Sequence, residues 1–160
     1  MTDRPKRKSP RLQAFDYSQN GAYFVTICTR GRKCVLGQIV GEGLCALPKT
    51  QLSDIGKVVE TSILFIAEQY ETIHVDAWTI MPNHVHLLIR IADAAGGRGD
   101  PPLQDVIGRM KSYTTHVYGK QLWQRSFHDH IIRGGQDYLE IWEYIENNPL
   151  KWKLDKFYCE

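Results

Sequence analysis

Apolar and polar positions along the chain trace a regular succession of strands and helices. The run YFVTICT, residues 23 to 29, is aromatic and β-branched, which favours a strand. Gly31-Arg32-Lys33 reads as a turn, and Val35 to Val40 as a short hairpin partner of that strand. Residues 51 to 70 follow helical spacing, with Ile55, Val58, Val59, Ser62, Ile63 and Ile66 on one side. Two strands come next, at about 73 to 80 and 84 to 91, joined across Met81-Pro82-Asn83, whose proline and asparagine suit a turn. AAGGRGD, residues 94 to 100, reads as an exposed flexible loop. Pro101 and Pro102 open a helix to about Tyr118; Leu103, Val106, Met110, Tyr113 and Val117 form its stripe, so Tyr113 is expected in the core. Phe127 to Arg133 reads as a fourth core strand, and Gln136 to Asn147 as a last helix stopped by Pro149.

This order fits an α+β fold, a ferredoxin-like split βαβ sandwich. One antiparallel sheet carries two helices on one face, with a further C-terminal helix, and the other face is left free for a site or a partner. The 160 residues are expected to form one domain, with residues 1 to 14 a basic arm.

Composition narrows the class. At 42% hydrophobic and 24% charged residues, the chain has the balance of a soluble globular protein. No apolar run approaches the roughly 18 to 20 residues of a membrane span, and the basic N-terminus lacks the apolar segment of a secretory signal. A cytoplasmic location without membrane association is expected. Cys28, Cys34, Cys45 and Cys159 are scattered with no CxxC pair, which favours reduced thiols over a zinc site or a disulfide. The net charge of +2 hides an uneven distribution: Arg4, Lys6, Arg7, Lys8 and Arg11 crowd the first residues, and Arg30, Arg32 and Lys33 follow the first strand. Such clusters grip phosphates or are simply solvated, and charge alone does not choose.

The candidate chemistry centres on MPNHVH, residues 81 to 86. Side chains alternate along a strand, so His84, His86, Leu88 and Arg90 share one face while Val85, Leu87 and Ile89 share the other, facing the helices. Two imidazoles at i and i+2 are about 6 to 7 Å apart at Cα, close enough to hold one metal ion. The plainer reading is a pair of hydrogen-bonded histidines at a strand end. FHDHII offers a competing pair, His128 and His130, and periodicity does not decide between them. In the last helix IWEYIENNP sets Tyr144 and Asn148 four residues apart on one face, with Tyr138, Ile141, Trp142 and Ile145 as the apolar stripe. Tyr144 could then be a nucleophile and Asn148 a third ligand; equally, they read as a boundary tyrosine and a helix C-cap. Arg109, Lys111 and His116, on the outer side of the preceding helix, could touch nucleic acid or only solvent.

MPNHVHLLI, WQRSFHDHIIR and EYIENNP, in that order and preceded by RLQAFDYSQNGAYFVTICTRGR, resemble the single-tyrosine HUH transposases, and among them the REP-associated tyrosine transposase group. The resemblance covers nearly the whole chain. It implies His84 and His86 as metal ligands, Asn148 completing the metal site, Tyr144 as nucleophile and His130 as support for the active site. It implies Mg2+ or Mn2+ as cofactor, single-stranded or hairpin DNA as partner, and a homodimer. The implied reaction is metal-dependent strand cleavage and rejoining through a 5′-phosphotyrosine, with the N-terminal arm, Arg109, Lys111, Lys151 and Lys153 holding the backbone and Phe15, Tyr17 or Trp152 stacking on unpaired bases. The rival expectations are an idle repeat-DNA binder and a hydrolase that uses water in place of Tyr144.

Overall fold

The computed structural model describes residues 19–41, 46–92 and 100–159. Among them, β1 (Gly21–Cys28), β2 (Gly37–Val40), β3 (Lys49–Leu52), α1 (Asp54–Gln69), β4 (Ile73–Met81), β5 (His84–Ile91), α2 (Leu103–Tyr118), β6 (His128–Ile132) and α3 (Gly135–Glu146) follow one another. Four strands form one sheet in the order β4-β5-β1-β6, and every neighbouring pair is antiparallel. With α1 and α2 as its two crossovers, this is the split βαβ arrangement expected. The basic residues Arg4, Lys6, Arg7, Lys8 and Arg11, the aromatics Phe15 and Tyr17, and most of the 94–100 loop lie outside the described residues.

Alternation on the strands builds two unequal layers. Tyr23, Val25 and Ile27 of β1 and Val85, Leu87, Ile89 and Ile91 of β5 are buried against Val59, Ile63 and Ile66 of α1 and Val106, Ile107 and Met110 of α2. This is the main core, and its apolar burial is the principal stabilising term. The opposite face is not free. Ala77 and Leu88 carry Ile145 of α3, flanked by Phe24, Tyr138, Ile141 and Trp142. A smaller cluster of Cys28, Met81, Trp152 and Phe157 brings the segment after α3 against the end of the same face. Both histidines expected on an open face are therefore covered.

Three local expectations are corrected. The Val35–Val40 segment does not extend the sheet as partner of β1; β2 pairs with β3 in a separate ribbon, and helical spacing had absorbed part of β3 into the first helix. Ser53 ends that strand by capping α1: its hydroxyl accepts from Gly56 N at 3.1 Å and donates to the Val35 carbonyl at 2.7 Å. Tyr113 is 57% exposed, because the buried stripe of α2 runs through Ile107 and Thr114 instead. Cys34 and Cys159, far apart in sequence, are joined as a disulfide, whereas Cys28 is free and buried.

Candidate metal and tyrosine site

β5 begins with His84, immediately after the Pro82-Asn83 turn, and its register with β1 sets Cys28 opposite His84 and Thr26 opposite His86. The local geometry fixes both rings. Asn83 Oδ1 lies 2.9 Å from His84 Nδ1, so that nitrogen carries the proton and donates. The Asn83 amide is itself held by the carbonyls of Phe157, at 2.7 Å, and Arg32, at 3.2 Å. Thr26 Oγ1 lies 2.8 Å from His86 Nδ1. With both Nδ1 atoms engaged, the Nε2 atoms remain for a ligand, the arrangement in which outer hydrogen bonds orient metal-binding imidazoles. The ring centroids are 4.5 Å apart.

Asp155 completes a three-residue group. One ligand atom from each of His84, His86 and Asp155 lies within 4.8 Å of the others. Asp155 Oδ2 is 3.9 Å from His84 Nε2 and accepts from Asn148 Nδ2 at 3.1 Å. His84 Nε2 and Asn148 Oδ1 are buried with no hydrogen-bond partner. Two orphaned acceptors beside a carboxylate are costly in a protein interior, and a divalent cation would satisfy all three. The donor set therefore fits a metal of the Mg2+ or Mn2+ kind.

Tyr144 closes the group from α3. Its stripe neighbours anchor the helix on the sheet, and its ring stands edge-on to Phe24. The phenol oxygen is 3.5 Å from His86 Nε2, a long contact. Phe24, His86, Tyr144, Asn148, Lys151 and Asp155 line a cleft of about 490 Å³, with Lys156 at its edge.

The electrostatics follow from burial. Desolvation pushes His84 down from 6.5 to about 4, opposed by the charge of Asp155. Burial drives His86 well below its ordinary value, and neighbouring His84 acts in the same direction. Both rings are thus neutral at neutral pH, as ligation requires. Burial raises the Tyr144 phenol above its usual range and the Asp155 carboxylate adds to this, while Asn148 opposes it. Without a cation the phenol stays protonated.

The other expected residues fall elsewhere. His130 is exposed on β6 and pairs through Nε2 with Asp137 Oδ2 at 2.9 Å, tying the edge strand to the first turn of α3. His128 lies opposite Thr26 and joins no metal-binding group among the described residues. Arg109 donates to Tyr70 Oη at 3.1 Å, and Lys111 reaches the carbonyls of Gln124, Arg125 and Ser126. Both belong to α2, across the sheet from the histidines. Trp152 is buried beside His84, a packing residue and not a base platform.

No protein-family model matches the chain. An uncharacterized protein of Haemophilus influenzae is 32% identical over 175 residues, spanning 96% of this chain and 94% of its own. A REP-associated tyrosine transposase of Escherichia coli K12 is 25% identical over 136 residues, covering 84% of this chain and 70% of its own. Among solved structures, a REP-associated tyrosine transposase bound to a REP hairpin superposes with a TM-score of 0.66 at 23% identity, over 88% of this chain and 73% of that one. The chain is thus related in sequence to REP-associated tyrosine transposases and shares the fold of one of them. In this chain Asp155, Thr26 and Asn83 join the expected site residues through the fold. Thr26 was findable only from the β1–β5 register. Asp155 is the sole carboxylate in NNPLKWKLDKFYC, but nothing in that spacing brings it back to β5.

Proposed function

We propose that the chain cleaves and rejoins single-stranded DNA, beside a hairpin of the palindromic-repeat kind, through a covalent bond to Tyr144. The observation that carries this is the Tyr144 phenol oxygen 3.5 Å from His86 Nε2, next to the orphaned His84 Nε2 and Asn148 Oδ1. A candidate nucleophile and a largely buried group of imidazole and oxygen donors share one cleft.

In this reading His84, His86, Asp155 and Asn148 hold a divalent cation, Mg2+ or Mn2+. When bound, it would screen the anionic oxygens that protect a phosphodiester from attack. Thr26 and Asn83 engage the two Nδ1 atoms, so that both Nε2 atoms would be available to such an ion. Lys151, on the cleft wall, and Lys156 at its edge meet the phosphate chain. The half-exposed Tyr144 phenol attacks phosphorus and gives its proton to solvent, while the bond to the 3′ oxygen breaks and that oxygen takes a proton from solvent. The products are a 5′-phosphotyrosine and a free 3′-OH. The phosphotyrosine retains the ester, so attack by a 3′-OH restores a DNA strand without a nucleotide cofactor. A homodimer, which the family resemblance implies, would carry two such sites, each drawn from one chain.

The test is incubation with a hairpin carrying a single-stranded extension, with Mn2+, with Mg2+ and with a chelator. A covalent adduct is expected with either ion, none with chelator, and none for Tyr144→Phe, which should still bind the DNA. An adduct surviving in Tyr144→Phe would remove the proposed nucleophile. Hairpin binding without an adduct under any ion would leave an idle repeat binder. Cleavage that persists in Tyr144→Phe without an adduct would mean attack by water.

A further inference from the structure

A second cleft lies at the same end of the sheet, beyond β1 and β6. It measures about 780 Å³, and its lining includes Arg30, Lys111 and Arg125 but no carboxylate among the described residues. Gln104, Ser112 and Thr115 of α2 add an amide and hydroxyls, and the buried Trp123 and Phe127 form an apolar floor. Lys111 braces the wall by reaching the carbonyls of residues 124 to 126. Arg30 and Arg125 are exposed, and neither forms an ion pair with a described carboxylate.

The backbone links this cleft to the histidines. Arg30 N donates to Leu122 O at 2.8 Å, Gln124 N to Cys28 O at 2.9 Å, and Thr29 N to Asn83 O at 2.9 Å. Cys28 is the register partner of His84. The cleft wall is therefore hydrogen-bonded to the strand end beside which the first histidine sits. Cations with amide and hydroxyl donors, and no competing carboxylate, match the sugar–phosphate backbone of DNA. The floor offers no exposed ring for stacking, so the contact is one of charge and not of base identity.

We infer that this cleft is a second DNA-binding site, holding the backbone of the substrate as it leaves the tyrosine cleft, with Arg30 and Arg125 as its phosphate contacts. The inference rests on the proposed function in taking DNA as the ligand.

Gly108 provides a clean probe. It lines the cleft within α2, and a Cβ added there meets nothing within 4 Å. A longer side chain therefore enters the cleft without strain and far from the histidine face. Binding of the extended hairpin is measured by fluorescence anisotropy across a salt series, and adduct formation at saturating DNA is measured in parallel. Gly108→Glu should weaken binding several-fold, and Gly108→Lys should leave it equal or tighter. The double variant Arg30→Gln/Arg125→Gln should weaken it about tenfold and reduce the slope of log affinity against log salt by about 2, close to one counterion per lost phosphate contact. Adduct formation at saturation should be unchanged in all of them. Wild-type affinity and slope in both Gly108→Glu and the double variant would overturn the site. So would a lowered rate at saturating DNA, which would put the arginines in the tyrosine cleft. Charge-dependent binding with no adduct from wild type would retire the strand-joining reading and leave this site standing. Wild type that fails to bind the hairpin would retire both.

Discussion

Thr26 is the residue through which β1 acts on the metal group. Its hydroxyl at 2.8 Å from His86 Nδ1 holds the ring and leaves Nε2 for the proposed ion. Thr26→Val keeps the shape of the side chain and removes the hydrogen bond. Mn2+ affinity, read by calorimetry, is expected to fall about 10- to 100-fold with the fold intact by circular dichroism. Thr26→Ser should recover most of it. The histidines also set a pH dependence. His84 titrates near 4 in the folded chain against 6.5 ordinarily, and His86 is displaced the same way. The unfolded chain therefore takes up protons first as pH falls. Stability from these groups is complete above about 6.5 and is lost as pH drops toward 4. Thermal unfolding in chelator, followed from pH 7.5 to 4.5, should show this decline, and His84→Gln/His86→Gln should flatten it.

At the level of elements, the start of α1 is where the sequence misled. The apolar spacing of residues 55 to 66 is a strong helical signal, but it says nothing about where the helix begins. Ser53 decides that by capping, and Gly56 allows the first turn to sit directly against the Leu36 carbonyl. Ser53→Ala is expected to cost about 1 kcal/mol in chemical denaturation. Gly56→Ala forces its methyl into the Leu36 backbone and should cost about 1 to 3 kcal/mol, despite alanine's better helix propensity. The same contrast explains the strands. β4, β5 and β6 were legible because alternation and turn residues report directly on a two-faced sheet. The β2–β3 ribbon was not, since four-residue strands with half-buried side chains carry almost no period. Tyr113 was misplaced because two overlapping stripes on α2 both read as apolar, and only the packing of α1 chooses between them.

For the whole molecule, the decisive event is the return of the chain end to the start of β5. Phe157 packs on His84 with ring centroids 4.6 Å apart, its carbonyl holds Asn83, and Cys159 is bonded to Cys34. Asp155 arrives at the histidines as part of that return. Ending the chain at Leu154 removes these contacts together and should lower Mn2+ affinity at least about tenfold; a modest drop in unfolding temperature is expected from losing the Phe157 packing. Unchanged metal binding in the shortened chain would show that Asp155 is dispensable. Sequence could point to His84, His86, Tyr144 and Asn148 only because their short motifs resemble those of a known family; periodicity left each with a plainer reading. It could not supply Asp155 or the disulfide, because both depend on a long-range closure that no local pattern encodes.

The site draws His84, His86, Tyr144, Asn148 and Asp155 from a single chain, with Tyr144 the one tyrosine among the described residues whose hydroxyl reaches a histidine of the group. On the proposed mechanism, one polypeptide would therefore hold one severed DNA end at a time. Exchanging two ends calls either for two polypeptides meeting on the DNA or for one that resolves its first ester before making the next. Dilution separates these: end exchange between different DNA molecules would fall with the square of protein concentration in the first case and linearly in the second, while formation of the ester itself stays proportional to protein in both.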